Sequence, residues 1–296
     1  MMNVRLKLRE PKQFIVPKGP SFRWARTVCS DLDGTNIIFK APRYRAKYLD
    51  LEPVLPERRY RSSGSSGSSM PFRSMYSDED AEKGLKDHFE RLKFFYHAWA
   101  FYGPWFSGTV AELSLSFDFI KAVNFPDSMS LFHPRALEQV IGEYLTFMYS
   151  YHLDFTRDYI QELDAPVNWQ PLHHLPVNAV RMEAVPRDFS AHKTKNHLMF
   201  FPIADDIMAC LHFMPSRILG LPRSELDKRV SVDPMYELMD NIINSIQLEL
   251  SPEAKAQQAR ALDGLGNTEL VKDYPLLKWD NATWEVEQKY LNSGAA

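Results

Sequence analysis

Two cysteines, Cys29 and Cys210, are all that 296 residues contain, which excludes a disulfide framework and any zinc module built on cysteine. Long apolar runs are missing as well: no stretch approaches the roughly 20 residues that a membrane-spanning helix needs. The opening Met1-Met2-Asn3-Val4-Arg5-Leu6-Lys7 has no apolar core of the signal-peptide kind, so a cytoplasmic location is expected. No Gly-rich phosphate loop, Walker pattern, G-x-S-x-G elbow or HExxH spacing occurs, so neither a cofactor nor a bound metal is expected. What remains is an ordinary globular balance. Hydrophobic residues make up 45% and charged residues 25%, which excludes wholesale disorder. The length suits one large domain or two ordinary ones.

The net charge of −3 hides an imbalance. Residues 1–61 carry 14 Lys/Arg against 6 Asp/Glu, a surplus of +8, and the remainder balances at −11. Arg5, Lys7 and Arg9 alternate with Val4, Leu6 and Leu8, the pattern of a strand with one solvated face. No run of adjacent Lys/Arg with interleaved aromatics follows, so nucleic acid is not an expected partner. Ser62–Ser69 is a pure Ser/Gly tract with nothing to pack. Its regularity is that of an engineered linker, either standing in place of a native loop, the reading favoured here, or joining two reading frames of which the second began at Met70. The chain thus divides into basic strands of the main sheet at 1–61, the tract at 62–69, an α+β body at 70–264 and an irregular tail at 265–296.

Strands are expected at Val4–Leu8, Phe22–Val28, Asn36–Lys40, Val177–Val185, Asn196–Ile203, Ile207–Phe213 and Gln247–Leu250. The firmest is Thr109–Ile120, where Leu113, Leu115, Phe117 and Phe119 alternate with Glu112, Ser114, Ser116 and Asp118, a half-buried strand hairpinned to its predecessor. A short helix is expected from Ser77. A long one runs from Pro134, with Leu137, Val140, Ile141, Tyr144 and Met148 at helical spacing, to Ala165-Pro166. Two more start at Asp233-Pro234 and Ser251-Pro252. Strands outnumber helices and neighbours look hairpin-linked, so the fold class is α+β: a mostly antiparallel, twisted sheet with packed helices.

The sharpest local motif is Asp31-Leu32-Asp33-Gly34-Thr35. Asp33-Gly34 between two strands reads as a hairpin turn. The same five residues resemble the first motif of haloacid-dehalogenase-type phosphohydrolases. That resemblance implies a magnesium-dependent enzyme in which Asp31 and Asp33 act as nucleophile and acid/base, Asp205 and Asp206 help hold the metal, and Lys193 or Lys195 neutralises charge. His173, His174, His192, His197 and His212 share one stretch but no metal-ligand spacing. Asp154, Asp158 and Glu162 line one side of the long helix, where Arg157 makes them a solvated face. Cys210, between apolar neighbours, reads as a packed thiol.

Between Phe94 and Phe106 eight aromatic residues crowd thirteen positions. Half can enter a core; Trp99, Tyr102, Trp105 and Phe106 are the candidates for a partner-binding patch. Three segments, Asp33–Pro42, Tyr102–Gly108 and Asn241–Ala254, give the chain a layout similar to small bacterial proteins of the PsbP-like α/β type. These include immunity and accessory proteins of type VI secretion and polymorphic-toxin loci. The resemblance implies a non-enzymatic, cytoplasm-facing protein that binds and neutralises another protein. The −11 balance after the tract fits a basic toxin as that partner.

Overall fold

The computed structural model describes residues 14–43, 57–60, 72–75, 88–104, 108–149, 163–187, 194–218 and 223–279. Strand β1 (Arg26–Leu32) turns back into β2 (Thr35–Ala41) through two residues that both carry positive φ, +50° at Asp33 and +83° at Gly34. Positive φ at both central positions makes a type I′ turn, whose twist matches the flanking strands. Glycine suits the second position because it has no Cβ, and aspartate tolerates the first. Thr35, Ile37, Phe39 and Ala41 point inward by simple alternation. Parallel β3 (Glu57–Tyr60) joins β1, and antiparallel β11 (Gln247–Glu249) joins β2, giving a small sheet of order β11-β2-β1-β3.

The large sheet has seven strands, all antiparallel: β4 (Arg73–Ser74), β5 (Phe89–Tyr102), β6 (Thr109–Ala122), β7 (Leu163–Leu172), β8 (Ala179–Pro186), β9 (Asn196–Pro202) and β10 (Ile207–Arg217). Their spatial order is β4-β5-β6-β10-β9-β8-β7. Four helices are described: α1 (Pro134–Tyr149), α2 (Arg223–Arg229), α3 (Asp233–Asn244) and α4 (Pro252–Leu262). None of them is long and apolar enough to cross a membrane. The class is mixed α+β.

Each face of the large sheet carries its own core. On the first, Leu113, Leu115, Phe117 and Phe119 of β6 meet Ile37 and Phe39 of the small sheet. Met235, Leu238, Met239, Ile242 and Ile243 of α3 join them at helical spacing. On the second, Leu137, Val140, Ile141, Tyr144 and Leu145 of α1 cover Ile120, Val180, Met182, Phe200 and Met208. Residues 270–279 strap this layer without regular structure. The Trp169 indole donates to the Val271 carbonyl at 2.9 Å, and that of Trp279 to Thr146 Oγ1 at 3.0 Å. Glycine at 142 lets the strap approach, since a Cβ there would sit 2.7 Å from the Tyr274 hydroxyl.

Several boundaries differ from expectation. The long helix is described to Tyr149, and residues 150–162 lie outside the described residues, but Ala165-Pro166 falls inside β7 instead of ending a helix. β7 is an edge strand with irregular register on β8 around Pro166, and edges tolerate proline because no ladder bond is lost. Phe22–Trp24 forms a 3-10 turn, so β1 starts later than the sequence suggests. β10 continues past Phe213 to Arg217 because β6 offers partners as far as Ala111. Helix α2 escaped notice because its sequence is polar; Glu225 pairs with Lys228 and Arg229 along it. Val4–Leu8, Ser62–Ser69 and the helix expected from Ser77 lie outside the described residues.

Candidate functional site

The two acidic pairs occupy different sheets. Asp31 and Asp33 sit at the β1–β2 hairpin, where Asp31 Oδ1 accepts from the Gly34 amide at 3.3 Å. Asp205 and Asp206 sit at the β9–β10 hairpin. Asp205 faces Arg260 at 3.4 Å and Asp206 faces Lys121 at 3.7 Å. Both turns lean on α4. Its N-cap Ser251 receives Ala254 N–H on its hydroxyl and donates its own amide to Thr35 Oγ1, while Gln257 accepts from the Asp205 amide. Six helical steps lead from Ser251 to Gln257, about 9 Å of helix axis. A phosphohydrolase of the resembled type needs a helix directly after its acidic motif, and here both acidic pairs lie at hairpins that return as strands. Among the described residues no three His, Cys, Asp or Glu side chains are placed to hold a metal ion. Lys195 is paired with Glu183 at 3.3 Å; Lys193, His192, Asp154, Asp158 and Glu162 lie outside the described residues. His173 and His174 are exposed.

The aromatic block resolves into core and surface. A bulge after Lys93 turns both Phe94 and Phe95 to the first face, where Phe94 lies 4.4 Å from Phe117 and Phe95 lies 5.2 Å from Phe39 between ring centres. Trp99 is fully buried and its indole donates to the Pro42 carbonyl at 3.0 Å. That corrects its place among the partner-binding candidates, because a sealed side chain offers a partner nothing. Tyr102 is 40% exposed. Trp105 and Phe106 lie outside the described residues.

Tyr102 is one of several large apolar side chains exposed at the same end of the large sheet. Residues 14–18 run along that end. The Ile15 amide donates to the Arg229 carbonyl, and Lys18 exchanges two backbone bonds with Tyr102. Ile15 packs inward on Val110 and Val230, so its neighbours Phe14 and Val16 are left 57% and 65% exposed. Ile218, whose amide donates to the Val110 carbonyl, is 51% exposed. Nothing in the sequence reading singled out Phe14, Val16 or Ile218. Phe14-Ile15-Val16-Pro17 is apolar throughout, so its alternation between exposed and buried is set by the packing of Ile15 and left no mark in the sequence.

A second concentration of chemistry lies on the other face of β6. Glu112, Ser114, Ser116 and Asp118, expected to meet solvent, are instead buried or half-buried. β5 and β10 flank the row, setting Lys93 and Cys210 beside Asp118, and Tyr96 and His212 beside Ser116. The Ser116 hydroxyl donates to Asp118 Oδ2 at 2.7 Å; Asp118 Oδ1 and His212 Nε2 are buried without a hydrogen-bond partner among the described residues. Burial sets the titration here. It raises the Asp118 carboxyl, with Ser116, Arg91 and Lys93 pulling the other way, and raises Glu112. It pushes the Cys210 thiol well up and His212 down to about 4. A thiol held protonated is a packing group, not a nucleophile.

No family model, curated protein or solved structure matches the chain.

Proposed function

We propose that this chain is a protein-binding protein, of the immunity or accessory kind, and that it docks its partner on the apolar end of the large sheet. The exposed group of Phe14, Val16, Tyr102 and Ile218 around the Ile15–Val110–Val230 contact carries the reading. Single exposed apolar residues are normal on any surface, whereas several brought to one end of a sheet, an aromatic among them, have the composition of a docking surface.

The charges beside this end indicate the partner's complement. Lys18 and Arg217, with Lys228 and Arg229 of α2, stand against Glu225 and Asp227, a local surplus of positive charge. The −11 balance of the chain after the Ser/Gly tract is a distributed field, and screening limits it to about 8 Å at physiological salt. At contact the local charges win. The partner's docking face is therefore apolar at its centre and acidic around it. A toxin neutralised through this surface would present such a face, however basic the toxin is elsewhere.

The test uses the protein encoded next to this chain as the probe, with calorimetric titration of the wild type, Val16→Asp and Ile218→Asp. Each substitution removes a buried contact and sets a carboxylate against an acidic partner, so affinity falls about tenfold or more. No binding at about 100 µM, or equal affinity for all three proteins, contradicts the proposal.

A further inference from the structure

A cavity of about 360 Å³ lies between the segment leading into α1 and the end of α4, whose Arg260 reaches Asp205 of the β9–β10 turn. It is far from the sheet end described above and independent of it. We infer that this cavity is a binding site for a small phosphate ester. Its polar lining is Ser128, Ser130, His133, Arg135, Gln139 and Arg260, and no carboxylate is among the residues that line it.

The donors are held from behind. Arg135 gives one N–H to Glu138 Oε2 and one to the Glu269 carbonyl, both at 2.6 Å. Glu138 is itself buried, and its other oxygen accepts from the Val271 amide. A guanidinium has five N–H groups, so Arg135 is fixed in position with donors to spare. His133 accepts the Arg135 amide on Nδ1 at 3.2 Å, which leaves the ring proton on Nε2 as a donor. Ser130 Oγ accepts from the Phe132 amide, so its own hydrogen is free to donate outward. The walls are tied together, because the Leu131 amide donates to the Asp205 carbonyl and the Asp205 amide donates to Gln257.

Arg260 is the movable part. It is 68% exposed and its contact with Asp205 is long, 3.4 Å. Two guanidiniums from different helices, two hydroxyls and an imidazole N–H make an excess of donors around one space. A phosphoryl group supplies three acceptor oxygens and matches the arginine fork, whereas one carboxylate occupies a single fork. The cavity is several times larger than a bare phosphate, within the range of small-molecule sites, so the ligand carries an organic part. Asp205 and the ligand compete for Arg260.

That competition gives the test. Glycerol 3-phosphate, inorganic phosphate, sulfate and citrate are titrated into the full chain at constant ionic strength, followed by amide chemical shifts of residues 128–139. Saturable binding of glycerol 3-phosphate, at least about tenfold tighter than sulfate or citrate, is expected. Arg260→Gln weakens it about tenfold, Asp205→Asn tightens it about threefold, and Lys255→Gln, on the same helix but outside the cavity, leaves it unchanged. The inference fails with no saturation by about 10 mM, with citrate as the tighter ligand, or with equal losses for Arg260→Gln and Lys255→Gln. An Asp205→Asn variant that binds no better than wild type removes the competition and with it the role given to Arg260.

Discussion

The two faces of the large sheet are equally hidden and differently made. Around Phe117 the first face is sealed by aromatic and aliphatic side chains from both sheets, with Phe39, Phe94 and Phe201 ringed about it. Around Asp118, one residue along the same strand, the second face buries a carboxyl, a serine and an imidazole whose hydrogen-bonding capacity is not all met among the described residues. Alternation along β6 distinguishes an apolar side from a polar side. Whether the polar side is wet depends on what the rest of the chain lays over it, and that is a tertiary fact.

The difference can be broken first at its apolar side. Phe117→Ala leaves a cavity among three phenylalanines and should cost about 3–5 kcal/mol, read as a fall in the urea midpoint with unchanged slope. The next test uses one histidine from each face. His197, against the Tyr236 ring, and His212, on the polar row, both have pKa values pushed by burial to about 4. For His197 this outweighs Glu183, so its 3.6 Å contact with that carboxylate joins a neutral ring to an anion. Depressed imidazoles bind protons in the unfolded chain first. Stability is therefore full above the unfolded value near 6.5 and falls as pH drops from there towards 4, by on the order of 3 kcal/mol per histidine. Urea midpoints between pH 7 and 4 check it; a flat profile would mean that neither ring is held neutral.

The smallest expected effect concerns Asp118 itself. Its raised carboxyl gives the opposite sign: the stability it supports is present at low pH and declines as pH rises through its folded value. Asp118→Asn keeps an acceptor for the Ser116 hydroxyl and removes the buried charge. It should match wild type in acid and exceed it by about 1 kcal/mol at pH 8.

Local chemistry was legible where the chain decides it locally. The Asp33-Gly34 turn, the proline-led start of α1, the helix start at Ser251-Pro252 and the two strands around residues 204–206 all follow from residues within a few positions. β7 was not legible, because its prolines are tolerated only by virtue of lying at a sheet edge. Trp99 and the Glu112–Asp118 row misled for the same reason, since their surroundings come from distant segments. Of the proposed docking end only Tyr102 was legible, because Phe14, Val16 and Ile218 reach it from two other parts of the chain.

Amide hydrogen exchange with and without the neighbouring gene's product tests the docking surface most directly. Slowed exchange confined to residues 14–18, 102–103 and 216–218 is the expected result. Protection along β7 or α4 with none at that end of the sheet would contradict it.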